Sequence, residues 1–157
     1  MPYTNFIGAG VSVNGAPLIP GGGTIPLSNN YIFVSNLTGD NGSDGNPGTM
    51  DLPFATLNAA ITYAGNTGLF PTGSAPVIVC LQGHSETITA NTALLFNVAD
   101  ITIVGLGVGS NRPKFTFTTA NTNCIPVSAA NIKISGCVFV GNFLSIATLF
   151  SVAAAPG

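Results

Sequence analysis

Short apolar segments recur along the chain, and most of them are bounded by glycine, proline, asparagine or aspartate. They are rich in valine, isoleucine and phenylalanine, which favour β-strands, and some alternate apolar with polar positions. The pattern predicts a chain built mostly of short strands. The predicted strand segments are residues 31–35, 77–81, 101–107, 115–118 and 132–141.

Two segments share one pattern, which indicates repeats of a single structural unit. Residues 99–105 and 130–136 each contain a small residue, Asp or Asn, Ile, a polar residue, Ile, a small residue and Gly, and they lie 31 residues apart. The run that begins at Val77 precedes the first isoleucine run by 24 residues. Unequal spacing with one strand per repeat is typical of a solenoid whose loops differ in length. Ile and Val would stack inside, Thr, Lys and Ser would face water, and Asp100 and Asn131 would form turns.

An antiparallel β-sandwich is the alternative arrangement for these strands. That fold relies on tight hairpins, for which Asn-Gly and Asp-Gly are the strongest dipeptide signals. Pairs such as Asn14-Gly15 and Asn41-Gly42 precede the predicted helix, and the strand region after residue 76 contains none. Stacked parallel strands are therefore favoured.

One segment has the periodicity of a helix, and it follows a turn-rich acidic loop at residues 39–48. Its apolar residues recur at the spacing that places them on one helical face. The small alanines on this face would allow close packing on a flat layer beneath. The predicted face consists of Leu57, Ala60, Ile61 and Ala64.

The boundaries of this helix are predicted from its flanking residues. Asp51 is predicted as the N-cap, Pro53 as a first-turn residue, and Gly65 as a left-handed end. We expect the loop and the helix, residues 39–65, to form a lid over the first turn of strands. The predicted cap and lid residues are Asp51, Pro53, Phe54, Leu57, Ala60 and Ile61.

Residues 1–30 differ from the rest of the chain because proline and glycine are dense there. That density disfavours a helix or a central strand, and it predicts an extended arm. A leader without fixed structure is the other interpretation, but it does not account for the apolar residues. The arm is predicted to dock on a neighbouring subunit through residues that include Tyr3, Phe6, Val11, Val13, Leu18, Ile19 and Ile25.

The stretch from Tyr31 to Ile61 resembles the entry cap of the pectin-lyase-like superfamily of right-handed parallel β-helices. In that family a strand leads into a G-x-D/N-x-x-D-G loop and then into P-F-x-T-L-x-x-A-I. The resemblance implies an all-β fold, a short right-handed parallel β-helix at residues 31–157, with a capping α-helix and the N-terminal arm. The matching residues are Gly39, Asn41, Asp44, Gly45, Pro53, Phe54, Thr56, Leu57, Ala60 and Ile61.

A second resemblance, extending over residues 31–150, is to β-helix structural proteins of tailed bacteriophages. It rests on residues 83–88, 98–107 and 109–117. It implies a virion component, often a homotrimer, and the shortness of the chain favours a decoration or cement protein on the capsid surface. Its partner would be the major capsid protein or another virion protein. A tail spike or fibre module that binds or depolymerises host polysaccharide is the alternative, and a bacterial assembly or adhesin module is a third possibility.

Charge is scarce, and this scarcity excludes some partners. The 157 residues have a formal net charge of −2, and only 5% of them are charged. The basic residues are Arg112, Lys114 and Lys133. They are too few to neutralise the phosphates of a nucleic acid or to bind an anionic membrane, so neither partner is expected. The apolar runs are too short and interrupted for a membrane span, and the N-terminus lacks the features of a secretory signal. A surface so poor in charge favours coverage by other subunits.

Catalysis is not expected from these residues. A glycosidase needs two carboxylates at working separation, and the strand region has only Glu86 and Asp100, 14 positions apart. Glu86 beside His84 could transfer protons, but a loop whose side chains satisfy backbone groups is the simpler interpretation. Arg112 and Lys114 lack the Asp cluster of a lyase, so a turn contact or a surface ion pair is expected there.

Metal and cofactor sites are not expected either. Asp40, Asn41, Asp44 and Asp51 form an oxygen-rich loop, but Asx-turns and a helix cap account for them better than a calcium loop does. The three cysteines have neither disulfide-framework nor zinc spacing, so they are predicted to be small buried apolar residues. They are Cys80, Cys124 and Cys137.

Overall fold

A computed structural model describes most of the chain after residue 30. The described residues are 12–13, 16–17, 30–37, 42–66, 70, 75–90, 92–118, 125–142 and 148–153. For residues 12–13 and 16–17 only the backbone is described. The docking arm and its boundary at residue 30 therefore stay predictions. Outside the described residues lie Tyr3, Phe6, Val11, Leu18, Ile19 and Ile25, together with the side chain of Val13.

The described chain is mostly β-strand, with one α-helix, α1 (Leu57–Ala64), and one short 3-10 helix (Gly109–Asn111). The strands are β1 (Ser12–Val13), β2 (Ala16–Pro17), β3 (Tyr31–Val34), β4 (Val77–Cys80), β5 (Ser85–Ile88), β6 (Thr102–Gly105), β7 (Lys114–Phe117), β8 (Ile125–Val127), β9 (Lys133–Ser135), β10 (Val138–Gly141) and β11 (Phe150–Val152).

Three parallel sheets contain the strands from β3 onward. Their orders are β3-β4-β6-β9, β5-β7-β10 and β8-β11, and Phe96 adds a parallel bridge to Val127 of β8. The chain visits the three sheets in the same order, and each new strand in the first sheet begins what we call a circuit. Among the described strands, circuit 1 has β3 alone. Circuit 2 has β4, β5 and Phe96, circuit 3 has β6, β7 and β8, and circuit 4 has β9, β10 and β11.

Every strand pair described after residue 30 is parallel, so the antiparallel sandwich is wrong. Antiparallel pairing within the described residues is limited to β1 with β2, which flank Asn14-Gly15 in the sequence. The prediction of a mainly β chain with parallel strands and one helix is confirmed.

Isoleucines from four successive strands of the first sheet lie opposite one another. This isoleucine ladder consists of Ile32, Ile78, Ile103 and Ile134, and its first three members are at most 1% exposed. The 31-residue spacing is confirmed by the pairing of Ile103 with Ile134. Thr102 and Lys133, which directly precede ladder isoleucines in β6 and β9, point outward and are more exposed, as the alternation of side chains along a strand requires.

The register of β4 with β6 differs by one residue from the 24-residue spacing of the two runs, because Val77 pairs with Thr102 and Ile78 with Ile103. Ile101 precedes β6 and packs in the core from the turn, so it is not the ladder residue of its circuit. A one-residue change of register exchanges the two faces of a strand, which is why the pairing must follow the buried isoleucines.

The N-cap of α1 is Thr56, so the prediction of Asp51 as the N-cap is wrong. Thr56 Oγ1 accepts a hydrogen bond from the N–H of Ala59 at 3.2 Å. The helix starts this late because Phe54 is extended and forms a parallel bridge with Val34 of β3. Asp51 lies exposed before that bridge.

The other predicted boundaries of α1 also differ from the structure. Pro53 precedes the helix instead of occupying its first turn, and Gly65 ends it with a right-handed φ of −77° instead of a left-handed one. The Gly65 N–H still bonds to carbonyls of the last turn, so no left-handed residue is needed there. The predicted apolar face is confirmed, because the buried residues of α1 are Leu57, Ala60, Ile61 and Ala64.

The loop before α1 occupies the outer edge of β3. Phe33 donates to the carbonyl of Gly48 at 2.8 Å, Phe54 donates to Phe33 at 2.9 Å, and Ser35 donates to Phe54 at 2.9 Å. Gly48 has a φ of +76°, and a Cβ atom there would lie 2.7 Å from the ring of Phe54. Circuit 1 is thus bordered by the chain's own loop and helix.

No helix in the described part of the chain could cross a membrane. The helix α1 has 8 residues, whereas a span requires about 20.

Truncation in the isoleucine ladder is expected to destabilise the protein strongly. Ile103→Ala should lower the free energy of unfolding by about 2–5 kcal/mol, because it leaves a cavity between buried Ile78 and half-buried Ile134. The matched control is Thr102→Ala, adjacent in β6 but outward, with an expected loss below about 1 kcal/mol. Chemical denaturation monitored by circular dichroism measures both, and equal losses would contradict the inward and outward assignment.

Candidate functional site

Glu86 and His84 lie inside the molecule, beside the helix. Glu86 is in β5, where alternation turns it inward, and it is 8% exposed, whereas His84 is fully buried. Glu86 Oε2 lies 3.1 Å from His84 Nε2. The prediction of a loop after a strand is wrong for Glu86, which lies in β5 in register with Phe115, but His84 does lie in the connection between β4 and β5.

Glu86 also accepts a hydrogen bond from the first residue of the helix. The N–H of Leu57 donates to Glu86 Oε2 at 3.0 Å. The first N–H groups of a helix lack intrahelical partners and carry partial positive charge, so a carboxylate is stabilised there. Part of the predicted chemistry is therefore confirmed, since Glu86 satisfies a backbone group, and this contact connects α1 to the second sheet.

Asp44 makes a second connection at the start of the helix. Its Oδ1 accepts from the N–H of Thr56 at 3.1 Å and from the Thr56 hydroxyl at 3.0 Å. Thr56 in turn caps α1, so Asp44 holds the capping residue in place. The helix-cap interpretation of the acidic loop thus applies to Asp44 instead of Asp51, while Asp40 and Asn41 lie outside the described residues.

The structure does not bring the two candidate carboxylates together. Asp100 is exposed in the turn before β6, whereas Glu86 faces the interior. Asp100 Oδ1 accepts from Asn131 Nδ2 at 2.9 Å. Asp100 and Asn131 have positive φ angles of 60° and 57°, so the prediction that these two residues form turns is confirmed. The Glu86 and Asp100 carboxylates therefore have different surroundings, one buried and one exposed.

A polar groove opens at these stacked turns, on the outer side of the first sheet. Its walls combine one carboxylate, one amide, one hydroxyl and one ammonium group, which can exchange hydrogen bonds with a polar ligand. The lining residues are Ala75, Asp100, Thr102, Asn131 and Lys133.

The remaining candidates have structural contacts only or lie outside the described part. Arg112 Nε donates to the carbonyl of Gly109 at 3.3 Å, which confirms the predicted turn contact, and Lys114 is exposed at the start of β7. Cys80 is buried as predicted, Cys137 is half-buried, and Cys124 is not described. Three or more His, Cys, Asp or Glu side chains arranged for a metal ion are not found among the described residues.

A column of aromatic rings runs from His84 through the core to the last circuit. The ring centroids are 5.5 Å apart for His84 and Phe115, 5.4 Å for Phe115 and Phe139, and 5.4 Å for Phe139 and Phe150. Phe115 is fully buried, but Phe150, at the far end, is 36% exposed. The apolar interior therefore reaches the surface at circuit 4.

Circuit 4 also leaves its strand edges without neighbours in the described part of the chain. β9 pairs only with β6, β10 only with β7, and β11 only with β8. Val152 in β11 is 73% exposed. We call this surface, formed by β9, β10 and β11 with Phe150 and Val152, the open end. It offers main-chain hydrogen-bonding groups and apolar side chains, the two components of strand-addition sites.

Comparison of the chain with family models, with curated proteins and with solved structures gives no match.

Replacing Glu86 is expected to weaken the attachment of α1. Glu86→Leu should cost about 1–3 kcal/mol of unfolding free energy, because it leaves the Leu57 N–H and His84 without their buried partner. Amide hydrogen exchange at Leu57 should accelerate beyond the global change. Thr87→Ala, the outward neighbour in β5, is the control and should leave that amide protected. An unchanged exchange rate at Leu57 in the Glu86 variant would show that this contact does not hold the helix.

Proposed function

We propose that the three parallel sheets are the sides of a short right-handed parallel β-helix. In this arrangement α1 and the preceding loop are the lid of the first coil, and residues 1–30 are the docking arm. The repeated order of the sheets and the isoleucine ladder support the proposal. So does the resemblance of residues 31–61 to the entry cap of pectin-lyase-like proteins.

We further propose that the protein is a non-enzymatic structural component of a tailed-bacteriophage virion. It would act as a trimeric decoration or cement protein on the capsid surface and bind the major capsid protein or another virion protein. The resemblance of residues 31–150 to phage structural proteins is the basis for the class of protein. Its mechanism would be burial of apolar and backbone surface between subunits.

The open end is the observation that carries the docking proposal. One end of the sheets is bordered by residues 48–54 and α1, whereas the other exposes Phe150, Val152 and three strand edges. An exposed edge next to apolar surface is a template for association. We propose that a neighbouring subunit or a partner chain covers it.

The scarcity of charge supports the same conclusion. With 5% charged residues, the surface has little electrostatic repulsion to keep free copies apart. Coverage of part of that surface in an assembly makes such repulsion unnecessary.

A module that binds host-surface polysaccharide is the second candidate, and the groove at Asp100 and Asn131 is the observation that favours it. Hydroxyl-rich ligands are bound by convergent polar groups of this kind. The aromatic side chains give it less support, since Phe115 and Phe117 are buried in the core and not exposed as sugar platforms.

The purified chain is expected to form an oligomer, with a trimer as the predicted state. Val152→Asp should weaken association, because a charge on the open end would be desolvated at the interface. The control is Val108→Asp, which should leave association unchanged. Val108 is 82% exposed and lies on the turn after β6, away from the open end. Sedimentation velocity at micromolar concentration measures the state, and circular dichroism checks the fold. A monomeric unmodified chain would contradict self-association as the cover of the open end.

Location and glycan binding distinguish the two functions. Electron microscopy of the virion that carries this polypeptide is expected to place it on the outer surface of the head, and density on the tail would favour the alternative.

A glycan array is expected to give no signal. Binding that is lost in Asp100→Ala would overturn the decoration proposal in favour of a carbohydrate-binding module.

A further inference from the structure

Two cysteines from circuits that are not adjacent approach each other in the core. Cys80 ends β4 in circuit 2 and is fully buried, whereas Cys137 lies between β9 and β10 in circuit 4 and is half-buried. Cys137 Sγ lies beside Gly105, the register partner of Cys80, which places the two thiols near each other. Both sulfurs are free thiols. A pair 57 positions apart in sequence is thus brought together by the strand register.

Gly105 makes this approach possible. It is the register partner of Cys80 in circuit 3. A Cβ atom at Gly105 would lie 3.0 Å from Cys137 Sγ and 2.6 Å from the carbonyl oxygen of Gly136. Cys137 Sγ therefore occupies space that any other residue at position 105 would fill.

The surroundings of the two thiols differ, so that Cys137 is suited to react first and Cys80 second. The neighbouring Cys80 side chain, as a hydrogen-bond donor to the ionised sulfur, lowers the pKa of Cys137 against the opposing effect of burial. The hydrogen bond with Cys137, followed by burial, raises the pKa of Cys80 well above its ordinary value. Cys137 is therefore the more readily ionised and the more accessible sulfur, and thiolates are the reactive form of cysteine.

We propose that Cys80 and Cys137 are a redox-active dithiol site that a small peroxide oxidises to an intrachain disulfide between circuits 2 and 4. The inference is independent of the virion proposal. An S–S bond of about 2.05 Å requires the sulfurs to come closer, and Cys137 is the partner that moves, because it lies between β9 and β10 and outside both strands.

The reaction has two steps. The Cys137 thiolate attacks one oxygen of hydrogen peroxide, the O–O bond breaks, and hydroxide leaves, giving a sulfenic acid. The sulfur of Cys80 then attacks the sulfenic sulfur, the thiol proton goes to the departing hydroxyl group, and water leaves as the S–S bond forms. The two sulfurs together lose two electrons, and the peroxide gains them.

Cys124 must be excluded from the test, so the main variant is Cys124→Ser. The folded full-length protein is treated with hydrogen peroxide near neutral pH, then denatured and alkylated with a maleimide. The expected product has lost two hydrogens, carries no maleimide, and yields a crosslinked pair of peptides containing Cys80 and Cys137. The same crosslinked pair is expected from the unmodified chain, which covers the case that the variant does not fold.

The controls separate a dithiol site from ordinary oxidation. In the Cys80→Ser, Cys124→Ser double variant, Cys137 should stop at the sulfenic acid, which dimedone traps. In the Cys124→Ser protein, dimedone labelling should be low because Cys80 resolves the intermediate. The proposal is overturned if both thiols of folded Cys124→Ser remain alkylatable, or if Cys137 accumulates as a sulfenic or sulfinic acid without the crosslink.

Discussion

Backbone pairing between consecutive circuits is the constraint on which the rest of this structure depends. In parallel sheets each strand satisfies its main-chain groups through the strand before it and the strand after it. An arrangement of this kind has no intrinsic end, so each end requires a cover other than another circuit. At the first end the chain supplies residues 48–54 and α1. At the other end the described residues supply no cover beyond β9, β10 and β11.

Directional contacts fix the position of the cover at the first end. Burial of the apolar face of α1 stabilises the helix but is non-directional, and its small alanines would permit it to slide. The bond from Leu57 to Glu86 and the bonds from Thr56 to Asp44 define one position. A buried carboxylate is costly without partners, so Glu86 favours the docked helix over any arrangement that leaves it unpaired.

The sequence predicted the features that depend on local pattern. β3, β4, β6 and β7, the 31-residue repeat and the apolar face of α1 follow from periodicity, which is a property of neighbouring residues. The prediction missed β5, β8 and β11, and its segment 132–141 is divided into β9 and β10 of two different sheets. The features it missed depend on pairing across the sheets. Asp51 has a side chain suited to a cap, but the pairing of Phe54 with β3 delays the start of the helix, and the partner of Glu86 is 29 positions away. The approach of Cys137 to Cys80 depends on the register that pairs Cys80 with Gly105, beside which Cys137 Sγ lies.

The composition of circuit 4 bears on whether its exposure serves docking. Proteins that keep a strand edge unpaired usually protect it with charges, prolines or bulges. β10 and β11 contain no charged residue and no proline, and the one charge in β9, Lys133, lies on the outer face of its sheet. Phe150 and Val152 add exposed apolar surface at the same end. An edge without these protections would associate nonspecifically in a free monomer, so its composition is better suited to a surface that is covered in an assembly.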